Sequence, residues 1–140
     1  MKKVLFVLSL VAVMVSCSKS PVDEAVAVYE NGADLFEKVA KNPSYDAYAD
    51  ALIATAKEAQ AFIDTNKDYK PEGDDVNNIV EAAKKFNKAQ KDVEAALEEK
   101  YKGKEDEAMT AFFSVMGKIA ELEKSAPDFE KFLSLVDVNE

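Results

Sequence analysis

Apolar residues recur every three or four positions through most of the chain after residue 20. The first such stripe consists of Val22, Val26, Tyr29, Ala33, Phe36 and Ala40. A longer stripe consists of Val76, Ile79, Ala83, Phe86, Gln90, Val93 and Leu97. Because an α-helix has 3.6 residues per turn, side chains with this spacing share one face, and that face has to be buried against another element. The pattern therefore predicts long amphipathic helices that pack on each other.

Three further segments show the same periodicity. The second segment along the chain carries Tyr45, Tyr48, Leu52, Ala56, Ala59 and Ile63, with Ile53 and Phe62 beside them. The fourth carries Met109, Phe112, Phe113, Met116, Ile119 and Leu122, and a last, short segment carries Phe129, Phe132, Leu133 and Val136. We predict that the fourth stripe is buried, since a methionine-rich stripe usually serves as adaptable packing. The last segment needs a surface to cover.

Residues that favour helix ends lie between these segments. The predicted caps are Ser20, Ser44 and Asp74 or Asp75 at helix starts and Gly103 at a helix end. Pro21 suits the first position of a helix, and the stretch 67–73, which contains Pro and Gly, is the longest predicted connection. Gln90 interrupts an apolar stripe, and we predict that its side chain makes a hydrogen bond between helices.

Short loops between long helices favour antiparallel neighbours. The sequence therefore predicts an all-α fold for residues 21–140, an antiparallel four-helix bundle with a short additional C-terminal helix. A three-helix bundle with a helical tail is the alternative. A coiled-coil oligomer fits less well, because alanine-rich stripes and short loops suit packing within one chain.

The first seventeen residues have a different character. Lys2 and Lys3 precede an apolar run of twelve residues, 4–15, which is too short to span a bilayer as a helix. A positive start followed by such a run is typical of a secretory signal peptide. The run ends in Met14-Val15-Ser16-Cys17, where a small residue directly precedes the cysteine.

This ending resembles the lipobox of bacterial lipoproteins, in the Ser-Cys-Ser-Lys style of the Bacteroidota. The resemblance covers only this segment, and Met14 stands where leucine is usual. It implies that residues 1–16 are cleaved, that Cys17 receives a diacylglyceryl group and further acylation with fatty acids such as palmitate, and that residues 17–20 form a lipidated tether. The alternative is an ordinary signal peptide that is cut a residue or two later and leaves a free thiol.

Cys17 is the single cysteine of the chain, so no disulfide can form within it. Two or more acyl chains make a long-lived membrane anchor, whereas one chain is marginal. Ser18 follows the cysteine where an aspartate would be associated with retention in the inner membrane, and no acidic residue occurs before Asp23. We therefore expect a cell-envelope protein that is lipid-anchored to the outer membrane and faces the periplasm.

Composition excludes several classes of function. Without Lys2 and Lys3, 16 basic residues remain against 27 acidic ones, a net charge of −11, which argues against nucleic-acid partners. The chain has no histidine, which excludes Ser-His-Asp triads, the usual zinc sites and His-ligated haem. It also has no arginine for bidentate phosphate binding and no tryptophan for stacking on sugars.

The stretch 64–75 resembles a calcium-binding loop of the EF-hand type. Oxygen-bearing side chains occur at the required spacing, and the candidate metal ligands are Asp64, Asn66, Asp68 and Asp75. The turn glycine and the final glutamate of such loops are both replaced. The alternative is a solvated loop between helices whose aspartates cap helix ends.

No catalytic motif or cofactor-binding motif is recognisable, so we expect no enzyme activity and no cofactor. The acidic runs 98–99 and 105–107 read as solvated helix ends. We expect a membrane-anchored interaction or adaptor module for another envelope protein. The alternative is a module that binds a cation or ligand, either Ca²⁺ at residues 64–75 or a cationic protein on the acidic surface.

Overall fold

The computed structural model describes residues 20–139, which form five helices and no strand. They are α1 (Pro21–Lys41), α2 (Tyr45–Thr65), α3 (Asp74–Lys100), α4 (Glu105–Ser125) and α5 (Phe129–Leu133). Consecutive long helices reverse direction, and the short helix follows at the C-terminal end. The predicted all-α four-helix bundle with a short additional C-terminal helix is confirmed. The proposed signal peptide, Cys17 and most of the tether lie outside the described residues.

The first two helices begin where the sequence predicts. The Ser20 hydroxyl accepts a hydrogen bond from the Asp23 N–H at 3.4 Å, and the Ser44 hydroxyl accepts one from the Ala47 N–H at 3.0 Å. Each bond satisfies a backbone donor that the helix itself leaves unpaired. Pro21 occupies the first position of α1, directly after the cap residue Ser20.

α3 begins at Asp74, but the predicted cap by Asp74 or Asp75 is wrong. Gly73 precedes the helix with a φ of 59°, and no side chain caps the first turn. Asp74 and Asp75 lie inside that turn, where the helix dipole favours their negative charge. Gly103, the predicted cap at the other end, lies two residues beyond the cap residue Tyr101 and has a φ of 73°. Its left-handed conformation reverses the chain before α4.

α1 packs on both α2 and α3. The Phe86 ring of α3 lies between two rings of α1, with centroids 5.8 Å from Tyr29 and 5.4 Å from Phe36. Both contacts are edge-on, as the charge distribution of aromatic rings favours. The predicted hydrogen bond of Gln90 is confirmed, since its Nε2 donates to the Tyr48 hydroxyl of α2 at 2.9 Å. Side chains of three helices therefore converge on one core.

α5 covers the end of this core that lies near the C-terminal end of α2. Phe132 is completely buried, and its ring centroid lies 4.9 Å from that of Tyr29 and 5.5 Å from that of Phe62. Just before α5, the Asp128 backbone N–H donates to the side-chain oxygen Oε1 of Gln60 at 2.8 Å, and Nε2 of Gln60 donates to the Asp128 carboxylate at 3.0 Å. The short last segment thus covers apolar surface, as the sequence predicts.

We predict that Gly32→Ala destabilises the protein. An added Cβ would lie 2.8 Å from Cε2 of Phe86 and 2.9 Å from Cγ2 of Thr55, both on buried, closely packed side chains. Alanine gains about 1 kcal/mol of helix propensity over glycine, but overpacking a core costs about 1–3 kcal/mol. Gly117→Ala, with no atom within 4 Å of the new Cβ, should instead stabilise by up to about 1 kcal/mol.

Urea denaturation of both glycine variants measures this difference. Opposite signs of the change in unfolding free energy are expected. A stabilised Gly32→Ala protein would contradict the close approach of α1, α2 and α3 at this residue.

Candidate functional site

α4 joins the bundle through α2. Val115 is the one fully buried residue of α4. The Lys118 ammonium lies 2.6 Å from a carboxylate oxygen of Asp46 and 3.1 Å from one of Asp50. These hydrogen bonds, first to Asp46 and then to Asp50, raise the pKa of Lys118 above its ordinary value. The ammonium therefore stays charged at neutral pH, and the contact fixes which side of α4 faces α2.

The side of α4 that faces solvent is apolar. Met109 is 58% exposed, Phe112 43%, Phe113 59% and Met116 47%. We call these four residues the α4 apolar face. Lys118 is nine residues from Met109, which is half a turn around the helix. Because Lys118 points at α2, Met109 points away from it.

The prediction that this stripe is buried is therefore wrong for its first four residues, whereas Ile119 and Leu122 are partly buried. The helix carries a second, smaller stripe that faces α2, formed by Ala111, Val115 and Leu122. Both stripes have helical spacing, and the structure buries the smaller one. The bulkier stripe stays in contact with water.

The α4 apolar face is large for a monomer surface. If each of the four side chains offers roughly 200 Å², their exposed fractions amount to roughly 400 Å² of contiguous apolar surface. Patches of that size on soluble proteins commonly mark binding sites for other proteins or membranes. Phe112 also touches the bundle, with its ring centroid 6.0 Å from that of Tyr45. This contact places the face beside the first residue of α2.

Charged residues of both signs lie at the N-terminal end of the face, because Lys102 and Lys104 directly precede the acidic first turn of α4. Glu105, Asp106 and Glu107 form the first turn of α4. One flank of the face adjoins an open depression of about 460 Å³, lined by Tyr101, Asp106, Glu107, Thr110, Ala111 and Ser114. The depression combines carboxylates, hydroxyls and an aromatic ring. Such a lining suits an ammonium group.

No family model matches the chain. No curated protein and no solved structure matches it either. None of the helices within residues 20–139 is both long and apolar enough to cross a membrane.

The structure separates the residues proposed as calcium ligands. Asp64 still belongs to α2, and its carboxylate accepts a hydrogen bond at 2.9 Å from the glutamine one turn earlier. Asp75 lies in the first turn of α3, and its carboxylate accepts a hydrogen bond at 3.3 Å from the tyrosine hydroxyl of the loop. The Asn66 amide donates to Glu24 of α1 at 3.0 Å. Asp68 lies in the turn between them.

Among the residues that the structure describes, no three His, Cys, Asp or Glu side chains form a group able to hold a metal ion. Helical geometry at both ends of the 64–75 stretch holds its carboxylates apart, so the spacing alone does not create a ligand shell. Calcium binding there stays a prediction from the sequence, to which the geometry adds no support.

Two pKa shifts elsewhere follow from burial. Burial raises the pKa of the Tyr29 hydroxyl to about 12, so it stays protonated at neutral pH. Partial desolvation raises the pKa of the Glu58 carboxyl, and a hydrogen bond from the Asn31 amide at 3.3 Å opposes that shift. Tyr29 belongs to the packed core, and neither group adjoins the α4 apolar face.

Proposed function

We propose that this protein is a lipid-anchored lipoprotein of the bacterial cell envelope, whose helical domain is a non-enzymatic interaction module. The observation that carries the interaction role is the exposure of the α4 apolar face in an otherwise amphipathic bundle. The anchor is supported by the sequence from Lys2 to Cys17. We place the domain at the outer membrane, on the periplasmic side.

The anchor and the α4 apolar face would lie at opposite ends of the domain. If Cys17 carries the lipid, three residues separate it from Pro21, a reach of roughly 10–14 Å. α1 has 21 residues and extends about 30 Å from there. Phe112 contacts Tyr45, which comes shortly after the C-terminal end of α1 in the sequence. The face would thus be held away from the anchored membrane and open to a partner.

In-cell photo-crosslinking tests this role. A photoreactive phenylalanine analogue replaces Phe113 in one variant and Leu133 in a matched control, since Leu133 is another exposed apolar residue, 38% exposed, on α5. We expect a discrete protein adduct from position 113 and none from position 133. Identical patterns from both positions, or no adduct from position 113, would contradict an interaction surface on α4.

A further inference from the structure

We propose that the α4 apolar face binds a cationic amphipathic helix of another protein. The inference rests on the proposed interaction role and names the chemistry of the partner. Three observations on the described residues support it: the size of the face, its shape, and the charge around it.

The size of the face suits one helix better than a second copy of this chain. A stable protein interface buries about 800 Å² on each partner, roughly twice what the four side chains expose. Two helices pack side by side through apolar residues that repeat every three or four positions on each of them. The α4 apolar face has this spacing, from Met109 to Met116, and extends about 10 Å along the helix axis.

The charge around the face favours a cationic partner. α4 carries five acidic residues and two lysines. Lys118 already binds Asp46 and Asp50, and Lys124 lies 3.4 Å from a Glu121 oxygen. At one end of the face, the three carboxylates of the first turn outnumber the two ammonium groups of Lys102 and Lys104, and the mature chain as a whole is acidic. A partner with lysines beside its apolar stripe could place an ammonium in the depression next to Asp106 and Glu107.

The same charge disfavours the other occupants of an apolar surface. Two copies of the mature chain would bring together two net charges of −11. An anionic bilayer surface attracts polybasic segments, whereas α4 has more carboxylates than ammonium groups. The face also lies near the end of α1 that is farthest from the proposed anchor.

Fluorescence anisotropy with model peptides tests the proposal. The full chain is incorporated in phosphatidylcholine nanodiscs, and the probe is a labelled 18-residue helix of leucine and lysine. A leucine and glutamate peptide with the same apolar stripe is the matched peptide control. We expect the lysine peptide to bind at least tenfold more tightly than the glutamate peptide, and its affinity to fall with ionic strength. Equal affinities would overturn the charge argument.

Two protein variants show where the peptide binds. Phe113→Ser should weaken binding of the lysine peptide about tenfold, and Leu133→Ser, on the exposed side of α5, should leave it unchanged. Both side chains are exposed, so both variants should keep the thermal midpoint of the parent protein, which circular dichroism measures. Unchanged affinity for Phe113→Ser would overturn the assignment to α4.

The crosslinking result separates this inference from the proposed function. A partner adduct at position 113 without peptide binding would overturn the cationic helix and leave the interaction role standing. An adduct with the mass of two copies of this chain would identify a second copy as the occupant and overturn the inference. Absence of both the adduct and peptide binding would overturn both proposals.

Discussion

Phe132→Ala is expected to lower the free energy of unfolding by about 3–5 kcal/mol, the range for removing a fully buried phenylalanine. The ring has no exposed surface and contacts Tyr29 of α1 and Phe62 of α2. α5 has five residues, too few to be stable as an isolated helix, so its position depends on side chains that reach the core. Urea denaturation followed by circular dichroism measures the change.

Leu133→Ala is the matched control for this experiment. Leu133 occupies the next position of the same helix but is 38% exposed, so its truncation should cost about 1 kcal/mol or less. Both substitutions introduce alanine into the same helix, so the two variants differ mainly in how deeply the removed side chain is buried. Similar losses for the two variants would contradict the docking of α5 on α1 and α2.

The loss of Phe132 should also affect α4. Ala126 is buried at the end of α4, and Asp128 is bound to Gln60 of α2. These contacts, together with Lys118, fix α4 against α2. Because small domains are stable by only about 5–15 kcal/mol, a loss of 3–5 kcal/mol would loosen this end of α4 well before global unfolding.

The fold was predictable because the strongest periodic stripes, those of α1 and α3, lie on the two helices that pack most extensively on each other. In α3, the predicted stripe residues Ile79, Phe86 and Val93 are all buried. In α1, Tyr29 and Phe36 are buried as predicted, but Val22 is only partly buried. The buried face of α1 is wider than one stripe because two neighbouring helices pack on it.

The orientation of α4 was not predictable from its own residues. Two stripes in this helix satisfy the helical period, and hydrophobicity alone selects the bulkier one. The contact that shows which side faces α2 joins Lys118 to Asp46 and Asp50, about 70 residues earlier in the chain. The available signal was a pair of aspartates four residues apart on α2 and Lys118, the one charged residue between Glu107 and Glu121.

The calcium prediction depends on the spacing of oxygen-bearing residues along the sequence and on nothing else. The residues of the 64–75 stretch alternate as in a calcium loop, but α2 extends through Asp64 and α3 has already begun at Asp75. A loop pattern carries its meaning only when the residues adopt a loop conformation. The helix boundaries add no support for the site, and calcium binding at this stretch stays a prediction from the sequence.

Cys17→Ala is expected to abolish membrane anchoring completely. The lipobox resemblance makes the thiol the acceptor of the diacylglyceryl group, and alanine offers no nucleophile to replace it. Since two or more acyl chains, at about 0.8 kcal/mol per buried methylene, account for the anchoring, their loss leaves little membrane affinity. Metabolic labelling with radioactive palmitate, followed by fractionation of the envelope, measures both the label and the location.

Ser18→Ala is the control for Cys17→Ala, because it changes a neighbouring residue and keeps the thiol; it should stay labelled and membrane-bound. The Cys17→Ala protein should be unlabelled, and it should occur either as an uncleaved precursor or as a released domain. A processed Cys17→Ala protein that remains in the membrane fraction would refute lipidation at this residue.

Because Ser20 already caps α1, an anchor at Cys17 would hold the domain close to the membrane and would restrict the directions from which a partner can approach. Loss of the Phe113 crosslink in a stable, released Cys17→Ala domain would then show that the partner requires the domain at the membrane.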